Sequence, residues 1–387
     1  MNYKPNEFLS YGKQWIDDED IEAVVHVLKG DFLTQGPAVE EFENAICKAT
    51  GARYCTVVSN GTAALHLAVA ALKLEKGSSG ITSPITFAAS ANCMAYCGVR
   101  PDFADIDEET LCVDPEEIER CLKKDTKLLI PVHLAGVPAD MQRIAAIARE
   151  HKLCVIEDAA HAMGTLYPDG SAVGSCTYSD MTIFSFHPVK TITTGEGGAV
   201  MTNDEELHER LMLLRAHGIT KNPLAMEQVP GPWYYEMQEL GFNYRLTDIQ
   251  AALGLSQIRK LRTFVSRRRD IVEMYNNAFS KLPWVRVHFP PRGTAPAYHL
   301  YIMEIDFPTI RKSRSQVMRQ LQELGIGTQV HYIPVHTFPY YKKTYGYYPE
   351  QYPKAMKYYQ KALSLPLYPR MSNEDVQYVI EAVTRLA

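Results

Sequence analysis

The sequence predicts an α/β protein. A large domain on a mainly parallel central sheet spans residues 1–261, and a smaller α+β domain follows over 262–387. Three observations carry this. From about Tyr54 to Met201, short apolar runs alternate with longer helical stretches, the pattern of strands buried on both faces with crossover helices between them. Several of those runs end in polar or small residues, at the edge where such sheets bind ligands. Near Leu261 the composition shifts to an arginine-rich helix.

Composition sets the outer bounds. The 387 residues suffice for two domains and a large core. Apolar residues make up 46% and charged ones 22%, ordinary for a globular chain. A formal net charge of −5 argues against nucleic acid as a partner. No apolar run approaches the ~20 residues of a membrane helix, so no membrane partner is expected. The first residues, MNYKPNEFLSYGK, lack the apolar core of a signal peptide. The eight cysteines, from Cys47 to Cys176, lie mostly in apolar segments, as suits reduced thiols in a cytoplasmic protein. Cys93 and Cys97 stand one helical turn apart, but no second pair follows at zinc-site spacing, so no metal is expected.

Taken in order, Asp17 can cap a helix with an apolar face at Ile21, Val24, Val25 and Leu28. The next stretch, Gly30 to Pro37, is bracketed by glycine and proline and reads as a loop. Its Phe32 and Leu33 either anchor it to the core or wall a pocket. The strands expected next are Cys55–Val58, Gly80–Thr82, Arg100–Ala104, Leu128–Val132, Leu153–Glu157, Met181–Phe184 and Ala199–Thr202. Helices between them start near Gly61, Phe87, Asp114 and Asp140. A helix follows from Asn203 to Ala216, then a polar, aromatic loop from Lys221 to Met237, then a helix capped by Thr247. Arg262, Arg267, Arg268 and Arg269 are expected on a solvated helix face. In the last third, Val317, Leu321 and Leu324 give one helix face, Gly327–Tyr332 reads as a strand, and Phe338–Tyr352 is a tyrosine-crowded packed segment.

Four strand ends carry the chemistry. After the first, Ser59-Asn60-Gly61-Thr62-Ala63 turns into an alanine-rich helix whose free N–H groups and positive dipole end suit a phosphate. After the second, Phe87 stands just past a strand, where core packing is its commoner fate. The fifth ends in Glu157-Asp158-Ala159-Ala160-His161, whose acids are either solvated or set to meet a cationic ligand. The sixth leads into the loop Ser185 to Gly198, with one lysine, Lys190, several hydroxyls and three glycines. A lysine drawn toward the core needs a partner or a role, and desolvation favours its neutral, nucleophilic form. The plain alternative is a lysine that reaches solvent from a turn. Together, a phosphate seat, a stacking ring, an edge carboxylate and a strand-loop lysine fit pyridoxal phosphate. The lysine would form a Schiff base, and the carboxylate would keep the pyridine nitrogen protonated so that the ring acts as an electron sink. No Walker or dinucleotide motif competes with this set.

These segments resemble the DegT/DnrJ/EryC1/StrS family of sugar aminotransferases, which have the aspartate-aminotransferase fold (PLP-dependent transferase fold type I). The likeness runs through FLTQGP (32–37), SNGTAAL (59–65), SPITFAASANC (83–93), EDAAHAMG (157–164), SFHPVKTITTGEGGAV (185–200), GFNYRLTDIQAALGLSQ (241–257) and QVHYIPVH (329–336). Within the family, the FLTQGP loop, the histidine of SFHPVK and the LSLPLYP tail are similar to the transaminases of pseudaminic acid biosynthesis. Those aminate C4 of UDP-2-acetamido-2,6-dideoxy-β-L-arabino-hex-4-ulose. Perosamine-type relatives can carry a similar KTITTGEGG run.

The resemblance implies a transaminase with L-glutamate as amino donor and a UDP-linked 4-keto sugar as acceptor. It implies that Lys190 is the Schiff-base lysine and proton shuttle and that Asp158 pairs with the pyridine nitrogen. His161 would face the ring hydroxyl, Phe87 would stack on the ring, and Gly61, Thr62, Ala63 and Ser185 would hold the phosphate. Asn243 would reach the phosphate of a neighbouring subunit, making a homodimer with shared sites. Tyr11, Asp31, Phe32, Leu33, Thr34, Gln329, Val330, His331 and Tyr332 would meet the sugar nucleotide. Glu196 keeps its family position without an assigned role. Relatives with histidine in place of the lysine are dehydratases, and this chain keeps the lysine. A non-catalytic cofactor-bound regulator would need neither Lys190 nor the sugar loop.

Overall fold

The computed structural model describes residues 3, 5 and 7–387. Its central sheet has seven strands: β1 (Tyr54–Val58), β2 (Ser79–Thr82), β3 (Arg100–Phe103), β4 (Thr126–Ile130), β5 (Cys154–Asp158), β6 (Met181–Ser185) and β7 (Gly198–Thr202), in the order β1-β7-β6-β5-β4-β2-β3. From β3 across to β6 all neighbours are parallel, while β7 runs antiparallel to both β6 and β1. Each strand expected between Tyr54 and Thr202 is present within two residues of its expected ends. The strands are almost wholly buried, because helices cover both sides.

The helices of this unit follow their caps. They are α1 (Asp18–Leu28), α2 (Pro37–Thr50), α3 (Gly61–Ala71), α4 (Ala89–Tyr96), α5 (Pro115–Cys121), α6 (Met141–His151), α7 (Glu205–Arg215), α8 (Asp248–Arg259) and α9 (Leu261–Phe279). Asp17, Asn60, Asp114, Asp140, Asp204 and Thr247 each accept an N–H of the first turn they cap. Asp248 on α8 also accepts the N–H groups of Gly36 (2.8 Å) and Ala38 (3.1 Å), fixing the start of α2. Two short strands, β8 (Ile219–Thr220) and β9 (Glu236–Met237), pinch the base of the loop expected there.

The remainder holds a three-stranded antiparallel sheet of β10 (Val285–Val287), β11 (Tyr301–Ile305) and β12 (Ala362–Leu365), with α10 (Arg314–Glu323), α11 (Pro339–Tyr345), α12 (Pro353–Lys361) and α13 (Asn373–Thr384). Val317 and Leu321 are buried as α10's spacing requires. Leu9, far away in sequence, belongs to this second core: its N–H and C=O bond to Gly325 and Gly327.

Three expectations are corrected. The segment Gly327–Tyr332 is no strand. It makes one bridge, Gln329 to Ser364, while its first residue, Gly327, bonds to Leu9, so no single strand runs along it. Helix α1 does not bury its apolar stripe; Ile21 and Leu28 are each 54% exposed. It packs on α8 through a polar contact, with buried Asp20 accepting from Gln257 (2.7 Å) and pairing with Lys260 (3.2 Å). Of the arginines of α9, Arg262 is exposed as expected but Arg267, Arg268 and Arg269 are not a solvated face. Arg268 is fully buried and donates to the carbonyls of Tyr298, His299 and Leu367, while Arg267 and Arg269 bond those of Met371, Ala295 and Pro296. All but that of Ala295, which also accepts the Leu166 N–H (3.0 Å), lie outside the strands without a backbone partner, and a guanidinium with five donors can satisfy several at once.

Candidate active site

Sheet direction brings the four chemistry-bearing segments together. Because β1 and β6 are both antiparallel to β7, β1 points the same way as β6 and the rest of the parallel strands. Asn60–Ala63, Ser83–Phe87, Asp158–His161 and Ser185–Lys190 therefore leave the sheet at one edge. There they wall a cleft of about 790 Å³, closed from the other unit by Gln329–Ile333 and Phe338 and from the N-terminal segment by Tyr11.

At one end lies the start of α3. A helix leaves its first N–H groups without intrahelical partners. Asn60 takes that of Ala63 (2.8 Å), which leaves those of Gly61 and Thr62, both lining the cleft. The backbone is drawn tight here. A Cβ on Gly61 would stand 2.8 Å from that of Ser185, and one on Gly198 would stand 2.5 Å from the Asn60 carbonyl oxygen. The hydroxyls of Thr62 and Ser185 open onto the same space. Free N–H groups, a helix N-terminus and two hydroxyls suit a phosphate.

Across the cleft, Asp158 ends β5 with 5% exposure. Its Oδ1 accepts from Ala160 N–H (3.1 Å) and its Oδ2 from the Ser90 hydroxyl (2.6 Å). His161 follows. The Ala135 N–H donates to its Nδ1 (3.3 Å), which assigns the ring proton to Nε2, beside the Tyr332 hydroxyl (3.1 Å). The His299 ring packs 4.4 Å from that of His161. His331 is fixed through Nδ1 by the Ser364 hydroxyl (2.8 Å), and Tyr358 donates to its carbonyl.

Lys190 rises from a tight loop. Its N–H bonds the His187 carbonyl (2.9 Å), and the arms rejoin where Phe186 and Gly197 pair. The Thr193 hydroxyl bonds the Phe186 carbonyl and that of Thr194 bonds the Glu196 carbonyl, so these two hydroxyls serve the loop. Gly195 takes a φ of 78°, which a side chain would resist. Burial pulls the Lys190 ammonium down to about 8, against the pull of Asp158 the other way. Burial also holds His161 and His299 well below the ordinary histidine range, with Lys190 adding to it, and brings His331 to about 3. At neutral pH the wall facing Lys190 is thus three neutral imidazoles. A lysine near neutrality, a buried carboxylate and a phosphate seat in one aromatic-walled cleft can bind a carbonyl compound as an imine and move a proton beside it.

Of the residues singled out from sequence, the cleft gathers Tyr11, Gly61, Thr62, Phe87, Asp158, His161, Ser185, Lys190, Glu196 and Gln329–Tyr332. Ala63 is buried directly behind it. Asn243 and Asp31, Phe32, Leu33 and Thr34 lie outside this chain's cleft, the last four exposed. Sequence reasoning missed Thr86, Ser90, Ser364, His299 and Phe338. Thr86 and Ser90 stand four apart at a helix start, a spacing that puts two hydroxyls on one side; nothing in the sequence marked Ser364 or His299.

The fold and the cleft define a PLP-dependent aminotransferase. The chain belongs to the DegT/DnrJ/EryC1/StrS aminotransferase family, whose model matches residues 14–384. It is 42% identical over 384 residues to the spore coat polysaccharide biosynthesis protein SpsC of Bacillus subtilis, covering 99% of this chain and 98% of that one. Among solved structures it is similar to Helicobacter pylori PseC, an aminotransferase involved in the biosynthesis of pseudoaminic acid. The TM-score is 0.92 at 30% identity, over 98% of this chain and 99% of that one. It is also similar to the putative sugar aminotransferase Spr1654 of Streptococcus pneumoniae. The PMP form gives a TM-score of 0.90 at 29% identity over 97% and 98% of the two chains, and a PLP form is solved as well. The cofactor fits the residues present: the tight, unbonded start of α3 for its phosphate, and Asp158, His161 and Lys190 around its ring.

Proposed function

We propose that the enzyme transfers an amino group from L-glutamate to C4 of a UDP-linked 4-keto-6-deoxy-N-acetylhexosamine, the acceptor of pseudaminic acid biosynthesis. The observation that carries this is the full-length likeness to PseC, in a chain whose cleft keeps a buried lysine. When bound, the cofactor supplies a ring that withdraws electrons from the carbon bearing nitrogen. The chain's own residues do the rest. Gly61, Thr62 and Ser185 would anchor the phosphate, while Ala63, expected to help, has its N–H taken by Asn60 and would only back the seat; Phe87 would cover the ring face, Asp158 would face the ring nitrogen, and His161 would face the ring hydroxyl. Lys190 would hold the cofactor through its amine when no substrate is bound, and would take the proton from the amino-acid α-carbon and deliver one to C4 of the sugar. Tyr11 and Gln329–Tyr332 hold the sugar nucleotide.

We assign Asp31–Thr34 and Asn243 to the site of a second copy. Their place outside this chain's cleft supports that. The exposure of Phe32 (56%), Trp233 (72%) and Leu240 (81%) accords with it. Two-fold symmetry would then give two shared sites. We divide the chain into a cofactor-binding domain, 1–261, and a smaller domain, 262–387. Eight free thiols accord with a cytoplasmic enzyme. The 42% identity to SpsC, a spore coat polysaccharide biosynthesis protein, keeps a second reading open: a different nucleotide-linked 4-keto-6-deoxy sugar, of perosamine or bacillosamine type.

The test is incubation of the holoenzyme with nitrogen-15 L-glutamate and a panel of 4-keto-6-deoxy sugar nucleotides. The label should appear at C4 of the N-acetylated UDP sugar. Transfer only to a TDP- or GDP-linked sugar would overturn the acceptor assignment, and transfer only from another amino acid would overturn the donor.

A further inference from the structure

Asp158 is held from two sides, and one of them is a hydroxyl with a second hydroxyl behind it. Ser90 has no exposure and sits in the first turn of α4. Its Oγ stands 2.6 Å from Asp158 Oδ2, 2.7 Å from Thr86 Oγ1 and 3.2 Å from the Phe87 carbonyl oxygen. A serine hydroxyl has one proton to give. The bland assignment gives it to the Phe87 carbonyl, three residues back, as serines near helix starts often do. That would leave a buried carboxylate oxygen facing a lone pair at 2.6 Å. A hydroxyl donating to a carboxylate runs about 2.5–2.7 Å, and such bonds are about twice as strong as neutral ones. The proton therefore goes to Asp158. With that proton committed, the short contact to Thr86 needs Thr86 as the donor. The hydroxyls are thus directed, from Thr86 to Ser90 to Asp158.

We infer that Ser90, oriented by Thr86, is the positioning residue of Asp158: it fixes the carboxylate's direction and supports its negative charge opposite the cofactor's ring nitrogen. The same short turn carries Phe87, so one segment sets both the ring's face and its nitrogen partner. The inference rests on the proposed pairing of Asp158 with that nitrogen. The Ala160 N–H alone can hold Oδ1 but cannot stop the carboxylate from turning about that bond. Ser90 is the second point that stops it.

The test uses the PLP-loaded enzyme without substrate and follows its near-visible band against pH. If the ring nitrogen is held less firmly in its protonated state, Lys190's nitrogen keeps its own proton to higher pH, since like charges close together oppose each other. Ser90→Ala and the near-isosteric Ser90→Cys should both raise the midpoint by at least about half a unit and slow the single-turnover reaction with amino donor roughly 10–100-fold, the scale of one bond to a charged group. Thr86→Val, which keeps Ser90, should move both in the same direction by less. Asp158→Asn should give the larger shift, and adding Ser90→Cys to it should add nothing, because both act through one carboxylate. Folded, PLP-loaded Ser90→Cys with the parent midpoint and parent rate would overturn the inference, as would full additivity with Asp158→Asn. An unmoved midpoint in Asp158→Asn itself would overturn the role given to Asp158, and the inference with it.

Discussion

Lys190 has to be buried enough to lose its proton near neutral pH, yet free enough to leave one carbon for another. Burial brings it to about 8 from an ordinary 10.5. That shift is also a statement about stability. Between about 8 and 10.5 the unfolded chain binds a proton that the folded apo chain does not, so folding gains as pH rises through that window. Below 8 the buried charge exacts its whole penalty, roughly 2–3 kcal/mol at about 1.4 kcal/mol per unit after allowance for its partial exposure. Lys190→Met should therefore abolish turnover while making the cofactor-free protein more stable than the parent at pH 7. That advantage should close as pH approaches 10.5. Denaturant titrations of both apo proteins across this range check it. A gap that stays constant with pH, or a variant that still turns over, would contradict the role given to Lys190.

At the scale of single elements, α9 shows what sequence patterning hides. Arginine-rich helices usually face water, and nothing local marks Arg268 as different from exposed Arg262. What buries it are carbonyls of Tyr298, His299 and Leu367, which come from chain 30 to 99 residues away and bear no pattern. Burial brings Arg268 to about 10, a cost of a few kcal/mol that its bonds have to exceed. Arg268→Met relieves that cost but orphans three carbonyls. The net expected loss is about 2–4 kcal/mol, and Arg268→Lys should recover part of it, since all three bonds leave one nitrogen, Nη1, and an ammonium also carries three N–H groups. Urea unfolding measures both variants. Parent stability in Arg268→Met would show that the carbonyls find other partners.

The same logic explains what was legible elsewhere. Strands such as Met181–Ser185 were read to within a residue because burial on both faces writes itself into composition. Caps at Asp17 and Thr247, and helix starts near Asp114 and Asp140, were equally plain, being local. Gly327–Tyr332 has a strand's composition but no continuous neighbour, and pairing is a tertiary fact. Lys190 and Asp158 stood out as costly residues at strand ends, whereas Ser90, in an alanine-rich turn, looked like filler.

The whole molecule adds the question of how many chains build a site. Asn243 bridges to Ala216, close in sequence to exposed Trp233 and Leu240, and does not line this chain's cleft. The proposed dimer makes a prediction that a local role cannot imitate. Inactive Lys190→Ala chains mixed with inactive Asn243→Asp chains, whose added carboxylate should repel the phosphate, should regain activity. Half of the sites in a mixed dimer would combine both intact parts. Verified mixed dimers with no activity above either parent would place Asn243's effect within its own chain.

The central claim is that one cleft passes nitrogen through its lysine-held cofactor to a keto sugar. The most direct measurement loads the enzyme with pyridoxamine phosphate and adds the UDP-linked 4-keto-6-deoxy-N-acetylhexosamine with no amino acid present. The near-visible band of the lysine-bound cofactor should return once per active site, with an equal amount of aminated sugar formed. If every keto-sugar nucleotide leaves the band absent while 2-oxoglutarate restores it, the cleft transfers nitrogen but not to a sugar, and the account fails at its centre.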